Sequence, residues 1–359
     1  MLTYFDTFSF CKAPSVERCK QSRWKTAIAV ATVITAFFVS GCGDDEPTKP
    51  EVGPFPTGAV VYENRAEHLG SPPDIYISPM SEDRERKSWS FNLTDDPAND
   101  IYPVFSPDGT KVYFSSDRNG DYDLFEMDIT EVTVPVLRQL TDFEGDETNA
   151  TVHPNGTDLF FIGDSPFNLT ADIFRLNIAT GDTTTVYDDI GKNDALRYIP
   201  QQGNFFVVQA QKMVVLDTQT NTSSPYRNGA GQFGHPAAAC DISKDGLTGY
   251  ASIMTRWSPT SGDVSHDIVT FPFEGQAQQP DLVRQSRHYS EEDWFRNIRD
   301  IDRGHFLYTE NSPQTIAISR IKVRNPGESV ITDESLTTQA EGNNENSDYT
   351  PRVVFPPPN

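Results

Sequence analysis

The sequence predicts an all-β chain, a six-bladed β-propeller closed by its own C-terminal strand. Three observations carry this. The 359 residues include 26 Pro, 23 Gly and 23 Phe, a composition that suits many short strands joined by tight turns and suits long helices poorly. Turn glycines recur at Gly109, Gly156, Gly203, Gly246 and Gly304, spaced by 47, 47, 43 and 58 residues. A repeat of roughly 40–50 residues holding three or four strands marks blades that must stack to bury their faces. Finally, the C-terminal segment repeats an opening strand that the first unit lacks.

Residues 1–41 read as an export signal. Lys12, Arg18, Lys20, Arg23 and Lys25 precede a 14-residue apolar run over 26–39, shorter than the roughly 20 residues of a membrane span and fitted to the core of a secretory signal. The following Val39-Ser40-Gly41-Cys42 resembles the bacterial lipobox. That resemblance implies a signal peptide removed before Cys42, a diacylglycerol on the Cys42 thiol, and a lipid-anchored protein of the bacterial cell envelope at the outer membrane, facing the periplasm or the surface. Cys11 and Cys19 leave with the signal, so Cys240 is the one free thiol expected, read as a small buried hydrophobe. Residues 42–57, with four prolines and no periodicity, read as a flexible tether, and 58–355 as the propeller.

The strongest unit runs from Ile101 to Asp128: a strand at 102–106, the turn Pro107-Asp108-Gly109, a strand at 111–115, the turn Asp117-Arg118-Asn119-Gly120, and a strand at 123–127. Asp-Gly and Asn-Gly are hairpin signals because those residues tolerate positive φ. These residues resemble the TolB-type β-propeller repeat, with its Pro-x-Phe-Ser-Pro-Asp-Gly, Ser-Asp-Arg-x-Gly and Asp-Ile-Tyr-x-Met-Asp elements. The third strand can be counted independently at Asp74-Ile75-Tyr76, Asp123-Leu124-Phe125, Asp172-Ile173-Phe174 and Asp267-Ile268-Val269, with eroded copies at Met213 and Thr315. The first unit starts at its second strand, 59–62. The segment Asp348-Tyr349-Thr350-Pro351 matches Asp100-Ile101-Tyr102-Pro103, so the C-terminal strand is expected to complete blade one and leave no open edge.

A net charge of −23 argues against nucleic acid or anionic lipid surfaces as partners and favours a cation or a basic protein segment. Asp100, Glu147, Asp194 and Asp348 each precede an inner strand, with Asp293 close by. Such a ring at one mouth of the channel would welcome a divalent cation or a basic peptide; the competing reading is that each carboxylate caps its own turn. No other cofactor is expected. Asp117-x-Asn119-x-Asp121-x-Asp123 resembles the start of a calcium loop but lacks its sixth-position glycine. Gly229-Ala230-Gly231-Gln232-Phe233-Gly234 copies the dinucleotide fingerprint without the strand and helix that fingerprint needs. Trp257, His266, His288, Tyr289 and Trp294 gather in the loops of blade five, where they would suit a sugar, and some similar repeats belong to pectin-fragment lyases. No Gly-x-Ser-x-Gly nucleophile turn is present. The resemblance thus implies a non-enzymatic, lipid-anchored scaffold that binds an envelope protein or other ligand. The alternative is a glycan-active enzyme of polysaccharide lyase type or a carbohydrate-binding propeller.

Overall fold

The computed structural model describes residues 58–65, 71–80, 90–132, 134–164, 171–188, 193–199, 203–209, 212–225, 227–228, 231–232, 237–243, 246–257, 264–272, 281–285, 295–302, 305–312, 315–322, 332–335 and 343–350. Among them the regular structure is strand. The first sheet holds β1 (Ala59–Arg65), β2 (Asp74–Pro79) and β3 (Phe91–Asn92). The second holds β4 (Asp100–Phe105), β5 (Lys111–Ser116), β6 (Asp123–Asp128) and β7 (Val136–Gln139). The third holds β8 (Glu147–Val152), β9 (Asp158–Asp164), β10 (Ala171–Asn177) and β11 (Thr183–Tyr187). The fourth holds β12 (Asn193–Ile199), β13 (Asn204–Gln209), β14 (Lys212–Asp217) and β15 (Thr222–Pro225).

A ribbon of β16 (Arg227–Asn228) and β17 (Gly231–Gln232) then leads into the sheet of β18 (Ala237–Ile242), β19 (Thr248–Trp257), β20 (Val264–Pro272) and β21 (Asp281–Gln285). After it come β22 (Phe295–Asp302), β23 (His305–Ser312), β24 (Thr315–Lys322) and β25 (Thr332–Ser335), and finally β26 (Asn343–Thr350). Neighbouring strands are antiparallel in chain order within each four-stranded sheet, and β26 pairs with β1, so the first sheet runs β26-β1-β2-β3. The architecture is a β-propeller. The false dinucleotide fingerprint falls partly on β17, a two-residue strand of the ribbon.

Local chemistry accounts for the hairpins. At the first inner turn the Gly109 amide donates to the Ser106 carbonyl (2.9 Å), and Asp108 Oδ1 accepts from the Ser106 hydroxyl (2.6 Å) and the Thr110 amide (3.1 Å). The same three-residue amide-to-carbonyl bond recurs at Gly156 and Gly246, whereas the Gly203 amide reaches four residues back to the Ile199 carbonyl (3.0 Å); all four glycines share φ of 71–72°, a left-handed conformation that costs glycine nothing. Gly304 lies outside the described residues.

Each inner strand, β4, β8, β12, β18, β22 and β26, breaks register against its second strand. In four of them two residues face one aromatic: 102–103 face Phe114, 149–150 face Phe161, 297–298 face Tyr308 and 346–347 face Tyr62. All four aromatics are wholly buried. Tyr102 and Asn149 take φ of 56° and 54° to make the bulge, which sharpens strand twist and re-aims the flanking side chains.

Alternation along the strands sends each blade's two faces to its two neighbours. Ala59 and Val61 join Phe105, Val112 and Phe114 of the second sheet, whereas Val60 and Tyr62 pack with Met80 and Leu307 of β23. Leu159 and Phe161 meet Val104 and Tyr113, while Phe160 and Ile162 meet Leu196 and Phe205. Cys240 is wholly buried against Ile199 and Met213, its thiol pushed up to about 12 by burial, as expected of a packing residue.

Candidate functional site: carboxylates at the blade seams

The chain enters two successive blades through the same arrangement. At the first seam the Asp100 amide donates to the Pro73 carbonyl (2.8 Å), the Leu93 amide to the Ile75 carbonyl (2.8 Å), and the Ile75 amide to Thr94 Oγ1 (3.0 Å). At the second, the Glu147 amide donates to the Tyr122 carbonyl (2.5 Å), the Leu140 amide to the Leu124 carbonyl (2.8 Å), and the Leu124 amide to Thr141 Oγ1 (2.8 Å). The source is a Leu-Thr-Asp triplet repeated at 93–95 and 140–142. It was legible in the sequence but went unused there, because its hydroxyl acts on a strand rather than on a visible turn.

The carboxylates of the two seams are satisfied differently. Asp74 accepts from Asn92 Nδ2 (2.9 Å), the Thr94 hydroxyl (3.1 Å) and the Asp96 amide (3.2 Å). Asp100 is fully buried and Arg118 Nη2 lies 2.9 Å from its Oδ1, while its Oδ2 closes no hydrogen bond of full geometry among the described residues. The guanidinium is held over the Phe125 ring at 4.9 Å, and its Nε donates to Ser116 Oγ at 2.9 Å. Burial raises the Asp100 carboxyl above its ordinary range, with Ser116 and Arg118 pulling the other way. Asp117 of the same turn takes the Asn99 amide (2.7 Å) and side chain (2.6 Å).

At the second seam no Arg arrives. Asp123 Oδ2 accepts from Gln139 Nε2 (2.9 Å), while Asp123 Oδ1 and both oxygens of the fully buried Glu147 close no hydrogen bond of full geometry among the described residues. Burial first of all, with the Asp123 carboxylate adding to it and Thr141 opposing, pushes Glu147 up to about 8. Asp123 is pushed up to about 6 by burial and by Asp121 and Asp142.

The expected open ring is therefore corrected on three counts. Asp100 and Glu147 share a level, each opening its inner strand, but both are buried instead of lining an accessible mouth. Asp194 is the extra residue of the β12 bulge, between Asn193 and Ala195. Asp348 pairs with Val61 beyond the β26 bulge; the residue opposite Asn64, matching Asp100 opposite Ser116, is Asn344. A bulge inserts a residue that a sequence match cannot place, and the register moves with it. The calcium-like run also disperses: Asp117 holds Asn99, Asn119 Nδ2 donates to Gln139 Oε1 (3.0 Å), and Asp121 Oδ2 accepts from the Gly145 amide (3.0 Å). Among the described residues no three His, Cys, Asp or Glu side chains converge on a metal position.

The loop over the second seam presents the most distinctive surface. Phe143 is 40% exposed, stacks on Phe161 at 6.3 Å and lies tilted against Phe174 at 6.1 Å, with exposed Asp142, Glu144 and Asp146 around it. In blade five, His266 stands opposite Met254 and Trp257 opposite Val264 along the long β19–β20 hairpin. His288, Tyr289, Asp293, Trp294 and Cys42 lie outside the described residues.

No family model and no curated protein matches the chain. Solved structures do. TolB from Acinetobacter baumannii superposes with a TM-score of 0.62 at 13% identity, over 83% of this chain and 67% of that one. A chain of the nidogen/laminin complex gives 0.60 at 7% identity, over 81% and 98%. Hydrazine synthase of Kuenenia stuttgartiensis gives 0.58 at 13% identity, over 84% of this chain and 48% of that one. At these identities the likeness is one of fold.

Proposed function

From the fold it has in common with TolB, we propose that this chain is a lipid-anchored, non-enzymatic scaffold of the bacterial envelope whose propeller binds a protein partner through a basic segment. The observation that carries the reading is the Phe143 loop, an exposed aromatic held rigid by two rings beneath it and surrounded by Asp142, Glu144 and Asp146. An apolar anchor with a charged rim is the form that protein recognition takes. The structural neighbour from the nidogen/laminin complex adds support, since it comes from a complex of two proteins.

The test is capture from detergent-solubilised envelopes by the wild-type chain and by a Phe143→Ala, Asp142→Asn, Glu144→Gln variant. A partner held by the first, released by salt and absent from the second is expected; equal capture by both sinks the proposal. The anchor is tested by Cys42→Ser, which should leave the membrane fraction. The finer architecture is six blades in a closed ring, supported by the β26-β1 pairing and by Leu307 against Tyr62. Deleting 343–359 should then lower the melting temperature sharply, and an unchanged value would sink the closure. The alternative, a glycan-active or glycan-binding propeller, rests on Trp257 and His266 sharing the β19–β20 hairpin. Turnover or retention of acidic oligosaccharides that Trp257→Ala abolishes would favour it.

A further inference from the structure

The second seam has an unsolved hydrogen-bond account. Asp123 opens β6 of one blade and Glu147 opens β8 of the next, 1% and 0% exposed. The two carboxyl groups are close enough to act on one another's ionisation, and three of their four oxygens close no hydrogen bond of full geometry among the described residues, although the Thr141 hydroxyl and the Phe143 amide stand near enough to favour the Glu147 carboxylate. Two carboxylates offer only acceptors, and among the described residues the charged groups that act on Asp123 are themselves acidic, Asp121 on the preceding turn and Asp142 on the loop from β7. Thr141 Oγ1 accepts from the Leu124 amide, which leaves its one O–H as the side-chain donor turned to Glu147, and Gln139 Nε2 divides between Asp123 Oδ2 and the Thr141 carbonyl. Arg118, the nearest equivalent of a counter-charge, is committed to Asp100 across the other face of the same blade. A buried pair of this kind survives only with a hydrogen between its oxygens.

We infer that Asp123 and Glu147 share one proton across the seam between the second and third blades, making this joint a pH-sensitive latch. With the proton in place, the Glu147 O–H donates to Asp123 Oδ1 and both blades are tied through their side chains. Releasing it to solvent leaves two negative charges side by side within a buried seam, next to the Phe143 loop. Alkaline pH therefore loosens this seam, and with it the platform under Phe143.

The sign follows from the direction of the shifts. Both groups are raised in the folded chain, so their contribution is complete below the ordinary carboxylate range and is lost as pH rises through about 6 for Asp123 and about 8 for Glu147. The experiment uses the exported chain and reads melting temperature from pH 5 to pH 9, with difference infrared spectra at pH 7. The wild type should lose stability steadily across that interval and show a protonated-carboxyl band at neutral pH. Glu147→Gln, whose amide N–H replaces the O–H, should flatten the pH dependence and remove the band. A wild type without that band overturns the inference, whether or not the variant folds. So does a variant with the wild-type pH slope. Recovery of the alkaline loss by millimolar calcium would also overturn it, assigning the three open oxygens to a cation.

Discussion

The first and second seams are the same joint closed by different chemistry. Both use an inner-strand amide on a carbonyl, a Leu amide on the third strand and a Thr hydroxyl as cap. At the first, Arg118 neutralises the buried Asp100 and stacks on Phe125. At the second, Glu147 has Asp123 beside it instead. A repeat fold can therefore keep its backbone bonding constant while each joint balances its buried charge separately. Local substitutions then alter one seam's response to pH without touching the fold.

The comparison breaks most readily at Arg118. Arg118→Met strands the Asp100 carboxylate in the seam, and removing one partner of a buried pair costs about 3–5 kcal/mol. Urea denaturation should read that loss, and a change below about 1 kcal/mol would show that Asp100 is not held by charge. A sharper contrast comes from neutralising the two equivalent acids. At pH 8, Asp100→Asn should destabilise because it leaves Arg118 without its carboxylate, whereas Glu147→Gln should stabilise because it removes a burdened ionisation. Two variants moving in the same direction would mean that the seams do not differ in the way described.

The caps test what the seams have in common. Thr94→Val and Thr141→Val each orphan a strand amide, at about 1–3 kcal/mol read by urea denaturation, and each also removes a hydroxyl that favours a carboxylate, Asp74 for Thr94 (3.1 Å) and Glu147 for Thr141. The smallest effect belongs to the outer edge. Arg138 is half exposed and lies 3.0 Å from Glu126, so Arg138→Ala should shift stability by less than about 1 kcal/mol and less still in high salt.

The sequence by itself determined whatever depends on near neighbours in the chain. Asp108-Gly109 and its three described copies turn because only certain residues accept φ near +71°, and alternating apolar residues sort themselves to opposite blade faces wherever the strand lies. Asp74, Asp123 and the inner-strand acids were visible for the same reason, as residues at a fixed offset from a turn. Only the tertiary structure decided what those acids do. The bulges set whether Asp194 and Asp348 reach the level of Asp100: Asp194 is an inserted residue with nothing opposite it, and the two residues 346–347 share the one position opposite the buried Tyr62. Likewise Arg118 follows Asp100 by 18 residues, and Glu147 meets Asp123 across a blade boundary. Charge balance in a buried seam depends on which side chains the packed sheets bring into contact, and no spacing along one chain encodes that.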